Sequence, residues 1–142
     1  MGKRRKSREI AVQILYQMEI MEQDTDEGVR LFFENFDVKE NVVDYARTLV
    51  YGVHANLAEI DPKIEEFSKH WKIDRMTAID RNILRLATFE LLHVDDIPEK
   101  VCINEALEIA KKFSSIDSSS FINGILDAIA KSKPKKTGEN ES

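Results

Sequence analysis

The side chains with the clearest chemical potential are cations at the start of the chain. Five of them lie within six consecutive positions, namely Lys3, Arg4, Arg5, Lys6 and Arg8. Cations clustered in this way can neutralise the phosphates of a nucleic acid and release its condensed counterions. The cluster therefore predicts a nucleic-acid docking element, and the alternative is a solvated, charged chain end.

The charge of the remaining chain favours the first interpretation. The formal net charge is −5, yet residues 9–130 carry 12 basic and 24 acidic side chains, and residues 131–142 carry four Lys and two Glu. A protein that is acidic in bulk and basic at its ends repels nucleic acids in general and attracts them at one place.

Motifs for catalysis or metal binding do not occur in the sequence. It contains no Gly-rich phosphate-binding loop, no HExxH and no GxSxG. His54, His70 and His93 are isolated, and Cys102 is the only cysteine, which excludes an internal disulfide. We therefore expect neither an enzyme nor a bound cofactor. The single cysteine also favours a reducing, cytoplasmic environment. No apolar run approaches the roughly 18–20 residues that span a bilayer, so no membrane association is expected.

Two carboxylates, Glu90 and Glu105, stand beside apolar residues. Glutamates on helices are commonly solvated or ion-paired, and we expect the same of these two rather than a catalytic dyad.

Aromatic and amide side chains near the last predicted helix can add base recognition. Phe113, Phe121 and Asn123 are close in sequence to Lys111 and Lys112. Aromatic rings stack on unstacked bases and amides bind base edges, whereas burial in the core is the alternative for both Phe residues. Gly124 costs about 1 kcal/mol in a helix relative to alanine, which predicts close packing or an approaching partner there.

These residues must be positioned by helices, because apolar residues recur every three or four positions along nearly the whole chain. The pattern predicts an all-α fold of about seven helices. The acidic stretch 24–27 is expected to begin the second helix and Asp61-Pro62 the fourth. Thr77 and Asp80 form a predicted capping box for the fifth helix.

The remaining helix starts and the domain limits follow from the same signals. The sixth helix is expected to begin near Ile103, and Asp117 is expected to cap the seventh. Residues 1–133 are predicted to form one domain, with a basic arm at 1–8 and a subdomain division near residue 61. The polar residues 134–142 are predicted to be a flexible tail.

Four segments of the chain carry a resemblance to a known family. They are REIAVQILY at 8–16, DRNILRLATFEL at 80–91, INEA at 103–106 and FINGILD at 121–127. Taken in this order, they resemble the NusB family of bacterial transcription antitermination factors.

The resemblance implies a function without catalysis. Two packed helical subdomains would bind single-stranded boxA RNA of ribosomal RNA operons together with NusE, a ribosomal protein. The complex would help RNA polymerase to read through terminators, and a homodimer that masks the arm is consistent with the family.

The resemblance also implies roles for individual residues. The RNA-binding set would be Lys3, Arg4, Arg5, Lys6, Arg8, Lys111, Phe113, Asp117, Phe121 and Asn123. The set that binds the protein partner would be Tyr16, Asp80 and Arg81.

The chain departs from the family pattern at two places. Ser114 occupies a position where the family commonly has Gly, and Ser118–Ser120 replaces a segment that usually contains a basic residue. Because each lost cation removes about one phosphate contact, we expect RNA binding to depend more heavily on the arm. Two alternatives remain, a helical accessory module for an RNA-modifying enzyme and a purely protein-binding helical adaptor.

Overall fold

The computed structural model describes residues 2–69 and 71–133, and in these residues it contains seven α-helices, one short 3-10 turn and no strand. The helices are α1 (Gly2–Met21), α2 (Thr25–Asn35), α3 (Glu40–Ala55), α4 (Leu57–Phe67), α5 (Ala78–His93), α6 (Glu99–Phe113) and α7 (Ile116–Lys131). The 3-10 turn, Ile73–Arg75, precedes α5. The predicted all-α fold is confirmed.

Helix α5 is the central element of the bundle. It contacts α1, α3, α4, α6 and α7. Most of its residues are buried, including Leu84, Leu86 and Leu91. One helical group, α1–α3, therefore packs through α5 on a second group, α4–α7, and a single core runs through both. No helix in the described part of the chain is long and apolar enough to cross a membrane.

Two of the predicted helix starts are correct because their caps are local. The Asp24 carboxylate accepts a hydrogen bond from the backbone N–H of Glu27 at 2.8 Å, and α2 follows. The Thr77 hydroxyl accepts one from the N–H of Asp80 at 3.1 Å, at the start of α5. The return bond of the predicted capping box is replaced, since Asp80 Oδ2 accepts from the Ser118 hydroxyl at 2.8 Å.

The helix boundary predicted at Asp61-Pro62 is wrong. The break lies at Asn56, whose side-chain amide donates to the carbonyl of Gly52 at 2.7 Å and ends α3. The carbonyl of Asn56 then accepts from the backbone N–H of Ile60, which begins α4. Pro62 lies inside this helix and not at its start. Asp61 does not cap a helix, because its carboxylate binds Arg85 at 2.9 and 2.8 Å.

The starts of the last two helices also differ from the prediction. Helix α6 begins at Glu99 after Pro98, four residues before Ile103. Helix α7 is capped by Ser115, whose hydroxyl accepts from the N–H of Ser118 at 3.0 Å. Asp117 is therefore not the cap and is exposed. The predicted flexible tail, 134–142, lies outside the described residues.

Two glycines provide a test of the packing. A Cβ at Gly52 would overlap the ring of Phe89, which is buried, whereas a Cβ at Gly124 would meet nothing within 4 Å. We expect Gly52→Ala to lower the free energy of unfolding by about 1–3 kcal/mol through overpacking. Gly124→Ala should raise it by about 0.5–1 kcal/mol, because alanine loses less backbone entropy in a helix. Urea unfolding of both variants checks the pair, and a stabilising Gly52→Ala would contradict the packing described.

Candidate nucleic-acid interface

The basic arm is helical rather than extended. Helix α1 begins at Gly2, so the five cations occupy its first two turns. The first turn of α1 contains no acidic residue, and the positive end of the helix dipole adds to the cationic charge. Anions are attracted to such a helix end. Ser7 holds it in place, since its buried hydroxyl donates to the carbonyl of Val42 at 2.8 Å.

Arg8 faces the interior of the bundle. It is 2% exposed, and its Nε lies 3.0 and 2.9 Å from the two carboxylate oxygens of Glu90, which is fully buried. The Tyr45 hydroxyl donates to the same carboxylate at 2.5 Å. Burial, together with the charge of Glu90, raises the pKa of Tyr45 far above its usual value, which keeps this donor protonated.

Of the two states expected for Glu90 and Glu105, solvated or ion-paired, the structure shows ion pairs, and these pairs are buried rather than solvated. Glu90 and Glu105 are both buried and hydrogen-bonded to arginines of α1. Glu105 lies inside α6 and not at its start, so it does not act on the helix terminus. The sequence contains no local signal for these pairs, since the partners are about 80 to 100 positions apart.

The other four cations of the arm remain accessible. Lys3 and Lys6 are exposed. Arg4 stacks 4.3 Å above the ring of Tyr45 and approaches Asp96 at 3.5 Å. Arg5, with a side chain that is 48% exposed, binds Glu105 through two hydrogen bonds of 3.0 and 2.6 Å. The arm thus presents four cations to solvent and buries the fifth.

The C-terminal end of α6 adds to this basic face. Lys111 is exposed and lines a groove of about 380 Å³ together with Arg5. Lys112, which the sequence did not single out as a site residue, binds Glu9 of α1 at 3.1 Å and lies 5.5 Å from the ring of Phe113. The half-buried Phe113 ring packs against the core. Helices α1 and α6 therefore place cations and one aromatic edge on a common surface.

A second group of predicted residues meets at the junction of α5 and α7. Asp80, Asp117 and Phe121 line one pocket of about 370 Å³, together with Trp71 and Arg75. Phe121 is half-buried, and Trp71 is 50% exposed. The pocket offers aromatic surface with carboxylates beside it, which suits stacking and recognition of amino groups.

Two of the predicted site residues are exposed elsewhere on the surface, and a third is engaged internally. Tyr16 is 40% exposed on α1 and Asn123 is exposed on α7. Arg81 binds the Glu19 carboxylate and donates to the carbonyls of Ile73 and Met76 at 2.8 and 2.7 Å. Arg81 thereby fixes the 3-10 turn against α5. Burial would raise the pKa of Glu19, but the hydrogen bonds and charge of Arg81, together with Asn82 and Arg85, outweigh it and lower that pKa.

The described residues contain no group of three or more His, Cys, Asp or Glu side chains arranged to hold a metal ion. The fold and the basic face formed by α1 and α6 together define a class of protein. It is the class of small all-helical proteins whose cations are gathered at one helix end. A family model described as the NusB family matches residues 5–131. This chain belongs to the NusB family.

Individual relatives match along nearly their whole length. The transcription antitermination protein NusB of Acetivibrio thermocellus is 47% identical over 139 residues, which cover 98% of this chain and 96% of that protein. The same protein of Geotalea uraniireducens is 50% identical over 144 residues, with 96% and 99% covered. A solved structure of the antitermination factors NusB and NusE in complex with dsRNA contains a chain with 28% identity and a TM-score of 0.85, covering 94% and 99%.

The buried ion pair predicts that alanine substitution of two cations in the same arm changes the free energy of unfolding by very different amounts. Arg8→Ala leaves the Glu90 carboxylate buried without its cation and should lower the free energy of unfolding by about 3–5 kcal/mol. Lys6→Ala, at an exposed position two residues away, should change it little. Urea or thermal unfolding measures both variants, and equal stabilities would show that the Arg8 pair does not hold the bundle together.

The lowered pKa values predict loss of stability in acid. Hydrogen bonds from Arg5 hold the pKa of Glu105 below its usual value. For Glu19, Arg81, Asn82 and Arg85 together lower the pKa despite burial. A group with a depressed pKa contributes stability above its unfolded-state pKa and loses it as the pH falls through the folded-state pKa. The free energy of unfolding should therefore decrease below about pH 4.5, near the unfolded-state pKa of Glu. Urea unfolding between about pH 3 and about pH 7 tests this, with Glu105→Gln expected to reduce the slope.

Proposed function

We propose that this protein is a non-enzymatic RNA-binding transcription antitermination factor. With the ribosomal protein NusE it binds boxA RNA of ribosomal RNA operons and promotes read-through by RNA polymerase. The RNA-binding part depends on one observation: the cationic start of α1 lies beside the basic end of α6 on an otherwise acidic protein. The names of the relatives and the solved complex with NusE and dsRNA support the remainder.

The proposal gives the accessible cations an anchoring role. Backbone phosphates are contacted by five side chains, Lys3, Arg4, Arg5, Lys6 and Lys111. These contacts position the RNA without reading its bases. Arg8, being enclosed by carboxylates, acts on RNA only by holding α1 in place. This divides the predicted RNA-binding set into contact residues and one positioning residue.

Base discrimination is assigned to the aromatic and amide side chains. Phe113 and Phe121 are half-buried, and Asn123 is an exposed amide on the same helix as Phe121. Asp117 and Phe121 share one pocket, so a base that stacks there lies next to a hydrogen-bond acceptor. Gly124 follows Asn123 with open space around it, which allows a backbone or base to approach closely.

The surface for the protein partner is proposed on α1. Tyr16 and Ile20 are one helical turn apart and are 40% and 57% exposed, so they form a small apolar patch. Arg81 supports this patch from behind through Glu19 of the same helix. Asp80 is mostly buried and contributes by fixing the start of α5 through its bond to Ser118.

Location and assembly follow from the same role. A factor that works on nascent bacterial RNA acts in the cytoplasm, and self-association through the arm would block RNA binding. Both alternatives, an accessory module of an RNA-modifying enzyme and a protein-only adaptor, are less well supported. Relatives named as antitermination proteins match over 96% and 99% of their own length.

The direct test is binding to a fluorescent boxA oligonucleotide, alone and with NusE. We expect measurable affinity that rises when NusE is added, and preference for boxA over a scrambled strand. A duplex of the same sequence distinguishes single-stranded from double-stranded recognition. Sedimentation with and without RNA follows self-association. If no binding is measured at low salt, either with or without NusE, the RNA-binding function is refuted and the protein-only adaptor remains.

The anchoring role predicts a specific change in salt dependence. Removing three accessible cations in Lys3→Ala/Arg4→Ala/Lys6→Ala should reduce the slope of log affinity against log salt by about two units, at about 0.7 per contact with a single strand. The control, Arg30→Ala/Lys39→Ala/Lys72→Ala, removes the same charge from exposed positions outside α1 and α6. Equal slopes in the two triple variants would show that net charge alone governs binding.

A further inference from the structure

A buried carboxylate lies directly beneath the most firmly held cation of the RNA-binding face. The Glu105 side chain is 5% exposed and accepts two hydrogen bonds from Arg5, at 3.0 Å from Nε and 2.6 Å from Nη2. Its Oε1 also lies 3.5 Å from Nη1 of Arg8. A residue on α6 therefore connects an interior arginine of α1 with an exposed one.

The geometry leaves half of the Arg5 guanidinium available. A guanidinium has five N–H donors, and a bidentate contact through Nε and Nη2 uses two of them. The remaining three, one on Nη2 and two on Nη1, are not used by Glu105, and 48% of the side chain is exposed. Arg5 can thus bind a phosphate without releasing Glu105, and its planar fork suits phosphate oxygens.

The groove beside Arg5 contains further donors. Asn104 and Lys111 of α6 line the same space of about 380 Å³. Among the described residues, Lys111 makes one ion-pair contact, at 3.5 Å with Glu108, and both side chains are 53% exposed, so this pair is weak and separates at little cost. An ammonium, an amide and a fixed guanidinium edge consequently border one space of sufficient size for a phosphate, which the carboxylates of Glu105 and Glu108 also line.

We infer that Glu105 is a positioning residue that orients Arg5 for one backbone phosphate of the RNA, bound in the groove with Lys111 and Asn104. The inference rests on the proposed function and names the site within the basic face where the RNA backbone is held most rigidly. Glu105 does not touch the RNA itself. Its contribution is to immobilise the arginine before binding, which removes an ordering cost from the binding step.

Simple electrostatics predicts the opposite effect of the carboxylate. A negative charge close to RNA repels it, so Glu105→Gln should strengthen binding if charge is all that matters. If Glu105 positions Arg5, the same variant should weaken binding by about three- to tenfold, the cost of ordering one long side chain. The sign of the change therefore separates the two explanations.

Glu108→Gln is the matched control. Glu108 lines the same groove and its removal changes the net charge equally, but its carboxylate is exposed and makes no bond to Arg5 among the described contacts. We expect Glu108→Gln to leave the affinity for boxA RNA unchanged or to increase it. Tightening by both variants would overturn the inference.

A double-mutant cycle distinguishes positioning from a general structural effect. In an Arg5→Ala background, Glu105→Gln should produce no further loss of RNA affinity, since there is no guanidinium left to orient. An equal loss in both backgrounds would mean that Glu105 acts through Arg8 and the fold. Circular dichroism and thermal unfolding identify a temperature at which every variant is folded.

Arg5→Lys supplies a test that leaves the buried carboxylate intact. Lysine keeps the charge but cannot bind Glu105 bidentately while donating to a phosphate. We expect affinity to fall nearly as far as in Arg5→Ala, with the salt slope retained. Wild-type affinity in Arg5→Lys would refute positioning. If the wild-type protein itself does not bind RNA, the proposed function fails instead, so the two failures remain distinguishable.

Discussion

The bundle depends on one ion pair that is removed from water, between Arg8 of α1 and Glu90 of α5. Taking two charges into the interior costs several kcal/mol per ion, and only close contacts and additional hydrogen bonds offset it. The protein provides both, because Tyr45 of α3 donates to Glu90 and Glu105 of α6 approaches Arg8. Four helices must meet at this point for the pair to be satisfied. The pair therefore specifies how α1 is seated, and with it where the cations of the first two turns are placed.

Successive turns of α1 convert this buried interaction into a binding surface. Arg5 precedes Arg8 by three positions, so both arginines reach toward Glu105, one from inside and one at the surface. A cationic helix start is locally unfavourable because it adds to the positive end of the dipole. Glu105 of α6, and Asp96 just before that helix, supply the negative charge that the first turn lacks. The stabilising contacts thus come from other helices, which leaves the outer edges of the cations for a nucleic acid.

The opposite part of the bundle is organised by a different set of polar contacts. Arg81 ties the 3-10 turn to α5 and α1, and the bond between Asp80 and Ser118 ties α5 to α7. These bonds build the aromatic pocket around Phe121 without using its ring. The protein thereby separates a charged face, to which we assign affinity and salt dependence, from an aromatic pocket, which suits base recognition. Such a division is common in proteins that bind RNA, where phosphate contacts position and base contacts discriminate.

The sequence by itself determined the features that arise from short-range interactions. Helical periodicity, the caps at Asp24 and Thr77, the charge asymmetry and the family segments are all visible in stretches of a few residues. Only the tertiary structure decided which arginine of the arm is buried and which is exposed. It also placed the carboxylate of Asp61 against Arg85 of a distant helix, so that Asp61 does not cap α4. The physical reason is that burial of a charge requires a partner, and these partners are brought together by packing rather than by their spacing in the chain.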